Sequence, residues 1–286
     1  MTPEQRRALG DARDVPAQLA RALTGQGFAP MPEPGPHDWL SVHPERGQTF
    51  AEYAASRPPV PRGSRRTLAL VPIGETARSA PDELLRRYAE AFFHLPARLL
   101  PVVSVDATHA RTRTNPWTGK RQLRAPDVLA FLRSRLPDDA FALAGYTHED
   151  LYPEESWNFV FGQASLRHRV GVFSFARYDP TFFGEPRRAD HDRTLRRRCM
   201  NVLAHETGHM FGLAHCVYFA CVMNGSNHLE ETDRRPSHAC PVCMRKLHYA
   251  IGFDVRERYV ALERIYGEAT FEEERRWTRD RLAEIE

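Results

Sequence analysis

His205-Glu206-Thr207-Gly208-His209 sets one carboxylate beside two imidazoles four positions apart. On a helix that spacing is slightly more than one turn, so both imidazoles fall on the same face. Two nitrogens from one rigid element make half of a tetrahedral zinc site. Gly212 lets the chain leave the helix with φ > 0, and that turn would bring His215 back as a third ligand. The fourth position would stay open for water, as in a catalytic site and unlike a closed structural one. Zinc held by three imidazoles lowers the pKa of a bound water towards ~7 and polarises a carbonyl. Glu206 can reach that water without ligating the metal, take its proton as general base and return it to a leaving amine. The competing reading, a core helix whose histidines only cap and pack, gives no reason for zinc-ligand spacing.

Four more residues have ligand character. Cys216 and Cys221 flank a short interval, and Cys240-Pro241-Val242-Cys243 is a C-x-x-C pair. Two thiolate pairs on short turns are the usual way to close a four-sulfur zinc site. A pair of disulfides is the alternative, but nothing marks the chain for an oxidising compartment. Cys199 is left over, and reads as a small buried hydrophobe.

The full string H-E-x-x-H-x-x-G-x-x-H, with Met223 downstream, resembles the metzincin pattern. With Cys216 directly after His215, the chain is similar to the archaemetzincins (archaelysins), the metzincin zinc proteases that carry an extra cysteine site. The likeness is strongest over 195–253, extends from 66 onward, and does not evidently cover the first 65 residues. It implies a cysteine-held zinc that is structural, hence two zinc ions per chain. It implies that Met223 is the apolar floor beneath the catalytic metal, and that an antiparallel strand at the sheet edge, here Phe161-Gly162-Gln163, pairs with an extended peptide substrate. From the residues alone, Gly162 could equally mark a bulge. One departure is evident: many other metzincins place a tyrosine after that methionine, whereas Asn224 follows here.

Composition narrows the remaining classes. Forty basic against 37 acidic residues leave +3, too little to argue for nucleic acid or an anionic membrane as partner. Hydrophobic content of 42% is that of an ordinary soluble domain, and no apolar run approaches the ~20 residues of a membrane span. The N-terminal MTPEQRRALGDARDV lacks the apolar core of a signal peptide. The expectation is a cytoplasmic, monomeric, reduced metallopeptidase. Two alternatives stand beside it: an aminopeptidase for short peptides, and a non-catalytic zinc-stabilised interaction module.

The elements that must position these residues follow from periodicity. Residues 2–24 read as helix, and two proline clusters then lead to Arg66, so 1–65 is expected to be an extension laid on the catalytic domain. Strands are expected at 66–73, 99–105, 140–146, 157–164 and 171–176, with helices from Pro81 and over 127–136 between them. That order predicts an α/β (α+β) fold with a mixed, twisted sheet. The ligand-bearing helix should start near Thr194 as N-cap and bury Leu195, Cys199, Val202 and Leu203. His191 falls in an expected solvated loop, as does 224–235. His238 is a possible substitute for one sulfur ligand. The catalytic domain is expected over 66–254 and a C-terminal helix, ending as a solvated charged tail, over 255–286.

Overall fold

The computed structural model describes residues 1–75 and 82–286. Two compact units emerge: Pro61–Glu90 with Leu95–Met210, and Met1–Val60 with Ala91–His94 and Phe211–Glu286.

The first is the sheet unit. Its strands are β1 (Thr67–Ile73), β2 (Ala97–Leu99), β3 (Thr112–Thr114), β4 (Arg121–Arg124), β5 (Ala140–Thr147), β6 (Asp150–Tyr152), β7 (Gly162–Ser165) and β8 (Val170–Ser174). The larger sheet runs β2-β1-β5-β8-β7, parallel throughout except for β7, which is antiparallel to β8 and forms an edge. A smaller sheet, β3-β4-β6, stands beside it. All of β5 is buried, as a central strand covered on both faces must be, and its apolar run AFALAGYT has that character. Ala69, Val71, Leu143 and Val172 from the strands pack with Val128 and Leu132 of the helix Ala125–Arg135.

Several expected elements are shorter. Of 99–105, only Leu99 belongs to a strand; beyond Pro101 a single bridge joins Val103 to Ile73. Proline cannot donate to the ladder, which explains the early end. Of 157–164, only residues from Gly162 onward pair. The Asn158 carbonyl instead accepts from the side chains of Arg113, Asn115 and Gln122, so side chains take the place of a ladder. The expected helix start at Pro81 lies outside the described residues; the helix runs over Asp82–Phe93.

The second unit is helical. The expected helix over 2–24 is two, Pro3–Leu9 and Ala17–Ala22, because Gly10 takes φ +72° and Pro16 precedes the second. Two N-terminal helices start from capping boxes, Thr2 with Gln5 and Thr49 with Glu52. Residues of 1–65 are woven into this unit: the Ala220 N–H donates to the Ala29 carbonyl, and Gln5 donates to the Tyr218 carbonyl at 2.8 Å. The expected single C-terminal helix is also two, Val255–Glu268 and Glu272–Ile285, divided at Thr270 with φ +64°. Its end is no solvated tail, since Arg281 is buried, donates to the carbonyls of Ala22 and Gln26, and lies over the Phe28 ring. A buried arginine with carbonyl acceptors looks, in sequence, like any surface charge. No helix among the described residues is long and apolar enough to cross a membrane.

In the sheet unit Asp150 accepts two 2.8 Å hydrogen bonds from Arg177 and one of 2.8 Å from Gln122, with both charged side chains buried. Asp150→Ala would leave a buried cation unpaired. The expected loss is about 3–5 kcal/mol, read as a lower urea midpoint at unchanged slope.

Candidate active site

The helix His191–Met210 begins three residues before the expected start, since the Thr194 N–H already donates to the Asp190 carbonyl. Thr194 is thus inside the helix, and His191 is buried beside Asp179 at 3.5 Å, not in a solvated loop. Leu195, Cys199, Val202 and Leu203 are all buried, and the helix lies against β5, β7 and β8. Burial also drives the Cys199 thiol far above its usual pKa, so it stays a neutral apolar filler.

On the same helix the Nε2 atoms of His205 and His209 stand 3.1 Å apart, with their rings nearly perpendicular at 89°. The helix ends at Met210 and the chain turns at Gly212, φ +84°, a conformation that favours glycine. His215, the expected third ligand, follows that turn within the helical unit. Zn–N bonds of 2.0–2.1 Å at tetrahedral angles separate nitrogens by about 3.3–3.4 Å, so the His205–His209 pair fits zinc.

The Glu206 carboxylate lies against the backbone of Gly162, the first residue of β7. A Cβ placed on Gly162 would stand 2.6 Å from both Cδ and Oε1 of Glu206. β7 pairs with β8 in continuous register from Gly162 to Ser165, so the glycine marks this close approach and not a bulge. Phe161, just outside the strand, stacks on Tyr178 with centroids 4.8 Å apart; Gln163 lies within β7.

The four other ligand candidates converge within the helical unit. Cys216, Cys221, Cys240 and Cys243 are buried, free of disulfides, and hold their sulfurs within 4.8 Å of one another. The Sγ atoms of Cys216 and Cys240 are 3.5 Å apart, close to the edge of about 3.8 Å that 2.3 Å Zn–S bonds impose. Cys240 caps the helix Pro241–Ile251 and Cys243 lies in its first turn; burial pushes the Cys240 thiol well above its ordinary pKa, and the hydrogen bond with Cys216 does the same to Cys243. Hydrogen bonds from Cys221 and then from Cys240 and Cys243 hold the Cys216 thiol well below its ordinary pKa. Four sulfurs fill a tetrahedral shell, so this site has no open position.

Asn224, which follows Met223, has a structural task. Its side chain accepts from the Cys221 N–H at 2.7 Å and donates to the Cys216 and Phe219 carbonyls. It thereby closes the loop that carries the first two sulfurs. The buried Met223 accepts from the Cys216 N–H at 2.8 Å, which pairs it with the residue directly after His215. His238 is no sulfur-site substitute: its ring stacks on Trp277 at 3.8 Å and 6°. The expected loop 224–235 contains a helix, Leu229–Arg234, with Glu231 and Thr232 buried. A third group, Asp38, His228 and Glu231, also brings donor atoms together. Here Arg234 donates to both oxygens of Asp38 at 2.6 and 2.7 Å, and Glu231 receives the Trp39 and Asn227 N–H groups. A cation in contact with the carboxylate makes this an ion-pair network, with no signature in sequence because its members are nearly 200 residues apart.

Residues 100–249 match the model for peptidase family M54. Archaemetzincin-2 of Rattus norvegicus is 42% identical over 266 residues, covering 82% of this chain and 74% of that protein. Archaemetzincin-1 of Mus musculus is 34% identical, covering 79% of this chain and 51% of that protein. The crystal structure of an archaemetzincin from Methanopyrus kandleri has a TM-score of 0.51 at 29% identity, covering 67% of this chain and 98% of the other. That of Archaeoglobus fulgidus archaemetzincin, complexed with malonate, gives 0.50 at 27%, covering 63% and 99%.

The Gly162 contact generates a test. In Gly162→Ala the flexible end of Glu206 must move while the sheet need not, so the thermal midpoint should hold. Misplacing a reacting group by about 1 Å can cost about 10²-fold, and a loss of that order is expected in any turnover that depends on Glu206.

Proposed function

This chain belongs to peptidase family M54, the archaemetzincins, and is a zinc metallopeptidase; from that premise we propose that His205, His209 and His215 hold its catalytic zinc, with Glu206 as general base. The observation that carries the reading is the imidazole pair on one helix, His205 and His209 with Nε2 atoms 3.1 Å apart, followed by the φ +84° turn at Gly212 that leads to His215. Bound there, zinc supplies Lewis acidity towards a water and a scissile carbonyl.

The chain's own residues do the remainder. Glu206 accepts the proton of the attacking water and delivers it to the leaving amine. Its place against Gly162 sets it beside the edge strand, where a substrate backbone can add as the next strand alongside Phe161-Gly162-Gln163. Main-chain pairing of that kind holds a peptide with little regard to its side chains. Met223 would serve as the apolar support beneath the metal, without chemistry of its own. Cys216, Cys221, Cys240 and Cys243 hold a second, structural zinc, for two per chain. Their thiols are useful only unoxidised, which fits a reduced, cytoplasmic monomer; all five cysteines are free.

Two experiments bear on this. Purified protein should contain two zincs per chain, and Glu206→Gln should keep both while peptide hydrolysis falls by about 10²–10⁴-fold; undiminished hydrolysis would overturn the mechanism. A structural zinc is worth about 10–16 kcal/mol of apparent binding energy. Cys240→Ser is therefore expected to lose one zinc and lower occupancy of the other, because Cys216 adjoins His215; full zinc content would defeat the structural assignment.

A further inference from the structure

The segment 38–45 belongs to the stretch whose purpose the sequence did not disclose. Within the helical unit, Glu45 places Oε1 2.9 Å and Oε2 3.2 Å from Nδ1 of His215. A carboxylate can only accept, so Nδ1 must carry the proton and Nε2 is left as the ring's metal-binding nitrogen. Trp39 donates its indole N–H to the same Oε1 at 2.8 Å and sets its ring edge-to-face on His215, centroids 5.2 Å apart. Trp39 is in turn held by its own N–H on both oxygens of Glu231, while its neighbour Asp38 is bound by Arg234 and His228. Further along, Gln48 donates to the Gly212 carbonyl and accepts from the Ala214 N–H, and Tyr53 donates to the Phe211 carbonyl at 2.8 Å. The backbone from 211 to 214 is thus tied at three points by residues 48 and 53.

We propose that Glu45 is a positioning residue of the metal centre, its carboxylate fixing the tautomer and orientation of His215 with Trp39 as its brace, so that the N-terminal segment is part of the catalytic apparatus. The proposal rests on the assignment of His215 as a zinc ligand. A metal-bound histidine commonly gives its second N–H to a carboxylate, and loss of such a partner costs about 10–100-fold in metal affinity. The contact is partly exposed, with 29% of the Glu45 side chain and 18% of the His215 side chain accessible, so the lower end of that range is expected. His215 is fixed here by one carboxylate that itself has a fixed partner, which is the arrangement an orienting role requires.

The test is zinc titration of chelator-stripped protein against a competing chromophoric chelator, for wild type, Glu45→Gln, Glu45→Ala and Trp39→Phe. Wild type should show a tight sulfur site and a separate histidine site. Glu45→Ala should weaken the histidine site by about 10-fold or more and leave the sulfur site unchanged. Glu45→Gln, whose amide oxygen still accepts the Nδ1 hydrogen, should fall between; Trp39→Phe, which loses only the brace, should show a smaller loss. A general loosening would weaken both sites together and lower the thermal midpoint of Gln and Ala variants alike, and that outcome overturns the proposal. Wild-type zinc affinity in a folded Glu45→Ala protein also overturns it. Full activity in Glu206→Gln would instead remove the mechanism above without touching this titration, while a wild type with only the sulfur-site zinc would remove both.

Discussion

Cys216 cannot move without moving His215, and that adjacency is the constraint on which the rest of the molecule turns. Its sulfur sits in a buried cluster with three others, its N–H is bound to Met223, and its carbonyl to Asn224. An imidazole on a free loop would sample many orientations, and the entropy of ordering it would be charged against metal binding. Clamping the very next residue removes that freedom.

The other two histidines need no such clamp, because the helix that carries them supplies it. Leu195, Cys199, Val202 and Leu203 are sealed against the sheet, and that burial fixes the rotation of the helix about its axis. The same packing brings Glu206 up to the edge strand. Only glycine permits the approach at position 162, so the small residue in β7 and the acid in the helix are one design feature seen from two sides. The edge that remains beyond β7 is what a peptide chain could join.

The N-terminal segments show how a domain can recruit distant chain to a site. Residues 29–31 pair with 218–220, Gln48 and Tyr53 hold the backbone after the helix, and Glu45 meets His215. Each contact is ordinary in itself. Their convergence on the eleven positions from 211 to 221 ties a proline-rich, apparently featureless stretch to the segment that carries His215 and Cys216.

The candidate site residues could be read from the chain alone, because their relations are local: two imidazoles one turn apart, a glycine that must end the helix, thiols in a C-x-x-C pair at a helix start. Local spacing constrains geometry directly, and the apolar periodicities behind β1, β5, β8 and the long helix are local in the same sense. What could not be read was whatever depends on chain meeting chain at long range. The buried Asp150–Arg177 pair, the paired oxygens of Glu45, the loop-closing Asn224 and the buried Arg281 all look, in sequence, like polar surface. That β7 is an edge was a matter of sheet order, and that the N-terminus joins the helical unit was a matter of docking. A polar side chain has the same composition whether it faces water or a partner 170 residues away; only tertiary structure supplies the partner.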